Sequence, residues 1–125
     1  MGTINRNGDL PDHSRPVQGS FVGRAVQHPL HDHPGPTAAR VSFVGFEPGS
    51  RTHWHTHGGG QVLHVVEGSG FTQVEGGPTE EIRAGDTVTV GPGEKHWHGA
   101  GPAGPMRHLA VTLGEVVWLE EPPAE

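Results

Sequence analysis

The stretch HWHTHGGGQ, residues 53 to 61, sets His53, His55 and His57 at every second position, follows them with three glycines, and ends on Gln61. On a β-strand, residues two apart project to the same face, so His55 and His57 present their ring nitrogens side by side. The glycines free the backbone to turn and return antiparallel, which brings Gln61 back to the pair. Farther along, EKHWHG repeats the spacing with His96 and His98. Three imidazoles and one amide oxygen make an open site for Mn²⁺, Fe²⁺ or Zn²⁺, with positions left for water or substrate.

The elements that must position these groups are strands. Glycine and proline punctuate the chain roughly every eight to twelve residues, with short runs rich in Val, Phe and Thr between them, the pattern of an all-β sandwich or barrel. Strands are expected at residues 19–27, 37–47, 51–57, 61–67, 70–75, 79–83, 87–90, 95–99, 106–113 and 115–119. Turns are expected at Gly68-Ser69-Gly70, Gly76-Gly77-Pro78, Ala84-Gly85-Asp86 and Gly91-Pro92-Gly93. No stretch carries a helical period. Residues 1–18 read as a polar N-terminal arm, 19–120 as the domain and 121–125 as a frayed tail. The segment QHPLHDHPGPT, holding His28, His31 and His33, reads as a proline-rich loop.

Composition narrows the function. The 125 residues are one domain by length, and 31% hydrophobic residues with 21 glycines fall within the range of globular chains. With no cysteine, any metal site must use His, carboxylate or amide. A net charge of −6 with no local basic cluster argues against nucleic acid as a partner. The absence of a long apolar run or a signal pattern argues against a membrane segment, and the expected compartment is the cytoplasm. The anomaly is the 11 histidines: His53, His55, His57, His64, His96 and His98 fall in two short windows.

The stretch PGSRTHWHTHGGGQVLHVVEG resembles the first motif of the cupin family, with Gly49, His55, His57, Gln61 and Gly68 in register. GDTVTVGPGEKHWHGA resembles the second, with Gly85, Gly93 and His96 in place. Gln61 stands where most members have glutamate, Gly91 where proline is usual, and Ala100 where asparagine closes the motif. The resemblance implies a cupin β-barrel, that is, a double-stranded β-helix or jelly roll. Together with FEPGSRTHWHTH, PGEKHWHGA and MRHLAV, the glutamine is similar to the small bacterial cupins that include manganese-dependent hydroxynitrile lyases. That resemblance implies His55, His57, Gln61 and His96 as metal ligands and manganese as the ion, with iron, zinc and nickel as the other ions such a set accepts. It implies His98 and His108 as acid–base candidates, and Ser42, Val44, Phe46 and Thr112 as residues shaping the pocket.

The ligand charge favours Lewis-acid chemistry, because a glutamate would cancel one unit of a divalent cation's charge and Gln61 cancels none. For a cyanohydrin, the ion and an uncharged His98 or His108 would together ease removal of the hydroxyl proton. Two rivals stand beside this lyase: an iron-dependent dioxygenase, and a metal-stabilised binding cupin without turnover. His98 and His108 read equally as hydrogen-bonded interior residues. His53 is expected at the rim, His64 pointing away from the ion, Trp54 and Trp97 on the opposite face, Glu80 and Glu81 at a solvated edge, and Lys95 outward. Apolar residues on both parities of 106–113 imply that both faces of that strand are covered, as in a homodimer or homotetramer.

Overall fold

The computed structural model describes residues 15–16, 19–33 and 38–122. Strands account for the regular structure there, and the described residues contain no helix: β1 Arg15–Pro16, β2 Phe21–Val22, β3 Ala25–His33, β4 Ala39–Phe46, β5 Arg51–Thr52, β6 His55–His57, β7 Gly60–Val74, β8 Glu80–Arg83, β9 Thr87–Val90, β10 His96–Ala100, β11 Met106–Leu113 and β12 Val116–Trp118. None of the described residues therefore forms a helix long and apolar enough to cross a membrane. Every strand pairing is antiparallel. One sheet runs β1-β3-β4-β11-β7-β9. The other runs β8-β7-β10, with β10 continuing to β5 and β2 at one end and to β6 and β12 at the other. The sheets curl toward each other into the expected all-β barrel.

The strand β7 belongs to both sheets. Its first half pairs with β11 and β9, and its second half with β10 and β8. Gly68-Ser69-Gly70 is therefore not a turn between two strands, as expected, but the bend inside one. Gly68 has φ +74, and a Cβ there would overlap the Pro105 carbonyl oxygen; a Cβ on Gly70 would overlap that of Gly99. Two glycines thus let one strand bend across the barrel corner while neighbouring backbones approach closely. The expected strand 51–57 divides into β5 and β6 around His53-Trp54.

The proline-rich loop expected over residues 27–37 is also corrected. Residues through His33 are strand, paired with β4 from Ala25↔Phe46 to His33↔Ala39, and the register slips between Pro29 and His31. Beyond Gln27, β3 has β4 alone as a strand partner among the described residues, so Pro29 sits on an edge beside a bulge, where its missing N–H is tolerated. Residues 34–37 lie outside the described residues. So does most of the 1–18 arm; its Arg15–Pro16 pairs with β3.

Alternation fixes what faces inward. Along β11, Met106, His108, Ala110 and Thr112 are buried while Arg107, Leu109, Val111 and Leu113 are half-buried. The apolar core, with Ala25, Phe46, Val65, Ile82 and Met106 at its centre, fills one end of the barrel. Polar residues take over the inward face toward the other end. Trp54 and Trp97 are buried within the chain: the Trp97 indole N–H donates to Gln73 Oε1 at 2.9 Å, and the Lys95 ammonium lies 5.3 Å from the centre of the Trp54 ring. Lys95 is half-buried rather than fully outward, bonded to Glu120 at 2.8 Å and Glu75 at 3.0 Å.

Candidate metal centre and cavity

Opposite residues of an antiparallel pair share a face, so the register lays out the inner wall in rows. From the core toward the open end, Phe46 pairs with Met106, Val44 with His108, and Ser42 with Ala110; in the last row Arg40 pairs with Thr112, and Thr112 with Gln61. The second sheet sets His96 of β10 opposite His55 of β6. A cavity of about 290 Å³ opens between the sheets, lined by residues that include His55, His57, Gln61, His98 and His108.

Four imidazoles cluster at its wall, His55, His57 and His98 lining it and His96 packed behind them. The ring centres of His55 lie 4.2 Å from His96, 4.8 Å from His57 and 5.4 Å from His98, and those of His57 and His96 are 5.5 Å apart. Ligand atoms of His55, His96 and His98 all lie within 4.8 Å of one another, and the three rings are buried. His55 Nδ1 donates to the His53 carbonyl at 2.8 Å, since a carbonyl can only accept. That bond leaves Nε2 of His55 as the bare nitrogen facing its neighbours, the outer hydrogen bond typical of a metal-binding histidine.

The hydrogen-bond inventory is most informative in what it leaves over. Gln61 Nε2 donates to Thr112 Oγ1 at 2.9 Å, which fixes the amide and leaves Oε1 buried with no partner. Both ring nitrogens of His57 and of His96, and Nε2 of His98, are likewise buried and unpartnered. Such groups carry a desolvation cost of about 1–3 kcal/mol each unless something binds them. In its neutral form each imidazole offers a lone pair from one of its two nitrogens, Gln61 Oε1 offers another, and none of these groups carries charge. This set fits a divalent cation, which accepts several lone pairs at once.

Burial keeps the rings neutral. Desolvation lowers the pKa of His55 to about 4 and that of His108 to about 4. His57 falls to about 4 through desolvation, aided by repulsion from His55 and Arg40 and opposed by the neighbouring Gln61 side chain, which lies close without meeting hydrogen-bond geometry, and His96 falls to about 2 through desolvation and its histidine neighbours. His98 is held well below the ordinary value by the same burial. His98 and His108 are joined, Nδ1 to Nε2, at 3.1 Å.

Of the residues expected to shape the pocket, Ser42, Val44 and Thr112 line the cavity. Phe46 does not. It shares their parity but sits at the core end, 98% covered, with its ring 5.3 Å from His108 and 5.8 Å from His98, so it backs these imidazoles instead. His53 contributes its carbonyl and is half-buried; His64 is exposed and bonded to Thr87 Oγ1 at 2.8 Å on the outer face. His28 is half-buried, and His31 and His33 are exposed. The cavity also takes in Arg40, Gln27, Phe21 and Trp118, which sequence reasoning missed. Trp118 packs 4.6 Å from the His55 ring. Arg40 had a legible signal, since it shares the parity of Ser42 and Val44.

Residues 42–112 match the family model described as a cupin domain. The chain is 52% identical over 104 residues, 80% of its own length and 79% of the other's, to a protein of Granulicella tundricola named (R)-mandelonitrile lyase. Among solved structures, a cupin-like protein from Thermotoga maritima superposes with a TM-score of 0.80 at 36% identity, covering 88% of this chain and 86% of that one. A protein described as a putative acetylacetone dioxygenase from Methylibium petroleiphilum superposes with a TM-score of 0.77 over 100% of this chain and 85% of that one; at 17% identity it shares the fold alone.

Proposed function

The chain belongs to the cupin domain family, and from that premise we propose that it is a metal-dependent lyase that cleaves cyanohydrins to a carbonyl compound and hydrogen cyanide, and forms them in reverse. His55, His57, Gln61 and His96 hold the ion, with manganese as the ion of first choice. The observation that carries this reading is the set of buried, unpartnered ligand atoms from β6, β7 and β10, with His57, Gln61 and His98 lining one cavity and His96 packed behind them. The name of the Granulicella relative supports the reaction class.

When bound, the ion supplies Lewis-acid polarisation of the substrate oxygen. The rest falls to side chains. His98 faces the cavity with Nε2 free, and accepts the hydroxyl proton there while the carbon–carbon bond breaks. Its lowered pKa makes the resulting imidazolium a ready donor, so the same nitrogen passes the proton to the departing cyanide. His108 orients His98 through the 3.1 Å bond. The apolar wall of Val44, Phe21 and Trp118 takes the organic part of the substrate and sheds water from it.

The test is direct. Protein loaded separately with Mn²⁺, Fe²⁺ and Zn²⁺ is assayed with mandelonitrile; cleavage above the uncatalysed rate that vanishes with chelator is the expected result. Oxygen uptake with a phenolic or diketone substrate, without cyanohydrin cleavage, would replace this reading with the dioxygenase. We propose further that two copies pair through the outer face carrying Phe43, Leu109 and Val111, which stay half-buried in the single chain.

A further inference from the structure

We propose that Arg40 makes this cavity an anion site, and that the pocket takes small ligands bearing a carboxylate. The inference concerns what the cavity binds and stands apart from the lyase reading, whose cyanohydrin is neutral.

Three observations carry it. Among the described residues lining the cavity, Arg40 is the one basic side chain other than histidine, and none of them is a carboxylate. With Gln61 in place of an acid, no negative group among the described lining residues offsets the guanidinium.

Second, Arg40 is solvent-exposed at the cavity's edge and makes no ion pair among the described residues. The β3–β4 register sets Asp32 directly opposite it, yet no ion pair within 4.0 Å joins the two; Arg40 instead borders the cavity.

Third, a second donor stands beside it. Thr112 is Arg40's partner on β11 and is 92% buried. Its Oγ1 accepts the Gln61 amide proton at 2.9 Å, so the hydroxyl hydrogen remains to be given to another acceptor. A guanidinium fork with a neighbouring hydroxyl matches a carboxylate, which accepts through two oxygens in one plane. Because Gln61 is next in the same row, a ligand gripped here presents its remaining atoms to the histidine cluster.

The experiment measures binding rather than turnover. Benzoate and its neutral counterpart benzyl alcohol are titrated by calorimetry into wild type, Arg40→Gln and Arg40→Lys, each metal-free and Zn²⁺-loaded, with circular dichroism confirming the fold. Benzoate is expected to bind wild type about tenfold or more tightly than Arg40→Gln. Arg40→Lys should keep part of that gain, benzyl alcohol should not distinguish the three, and added salt should weaken benzoate alone. Equal benzoate affinity in wild type and Arg40→Gln, a parallel loss for both ligands, binding that depends on zinc and not on residue 40, or no benzoate binding at all would each overturn the proposal. Failure of mandelonitrile cleavage would leave it intact, and its own failure would leave the lyase reading intact.

Discussion

His108 Nε2 lies 3.1 Å from His98 Nδ1, so two buried imidazoles share one proton and one ring must donate while the other accepts. When His98 accepts at Nδ1 its own proton sits on Nε2, facing the cavity; when it donates, Nε2 is bare. The state of the nitrogen facing the cavity is therefore written by a ring one layer deeper, pressed against Phe46. His98→Ala should lower mandelonitrile cleavage by about 10²–10⁴-fold, the span of one acid–base group. His108→Phe, which keeps a ring but not the bond, should lower it by about tenfold, and both proteins should retain their metal. Loss of metal from His98→Ala but not from His57→Ala would move His98 into the ligand set and displace the proposed one.

Gln61→Glu separates binding from chemistry. The added charge should tighten Mn²⁺ by about tenfold or more, as ligand charge generally does. The same charge should slow cyanohydrin cleavage by about tenfold, because the ion then draws less on the substrate oxygen. The Thr112 hydroxyl can rotate to donate where it now accepts, so the fold should survive. Metal content after dialysis, with initial rates at saturating Mn²⁺, checks both halves; a weaker-binding or faster variant contradicts the account.

Acid should unfold the metal-free protein early. A histidine with a native pKa near 4 and an unfolded value of 6.5, as for His55, His57 and His108, takes up its proton only on unfolding between those limits. Their neutral burial costs no stability above pH 6.5, and each then loses about 1.4 kcal/mol per pH unit as the pH falls toward 4. Thermal melts in the presence of chelator should drop by roughly 10 °C or more between pH 7 and pH 5. A melting temperature that stays level across that interval would mean that the rings are protonated in the native state.

The outer face of the first sheet gives the oligomer prediction. Leu109 stands between Phe43 and His64 in the register, half-buried in one chain and central to the proposed contact. Light scattering on wild type should return twice the 13.2 kDa of the chain, and Leu109→Glu should return a single chain that still melts cooperatively. A wild-type monomer at micromolar concentration rules the pairing out.

Much of the barrel was legible because period-two alternation and glycine punctuation are local. His55 and His57, and His96 and His98, announce a shared face by spacing alone, and the glycines before Gln61 announce the return. What escaped was tertiary. Gly68-Ser69-Gly70 has the composition of a turn, and only its neighbours on β8, β10 and β11 hold it extended. The segment from Gln27 to His33 looks like a loop because Pro29 is costly in a central strand, and becomes a strand because it lies at an edge. Phe46 and Arg40 share one parity with Ser42 and Val44, but parity says which face and not how far along it. The first lies in the core and the second on the cavity wall.

The passage of β7 through both sheets ties the site to the whole domain. Gln61 leaves the strand in one sheet, while twelve residues on Gln73 clasps the indole beside His96 in the other. Fraying either wall disturbs the hydrogen bonds of the strand that both share, so the proposed chelating groups should be gained and lost together. A half-assembled cage, one wall formed and the other undone, is disfavoured by that shared strand.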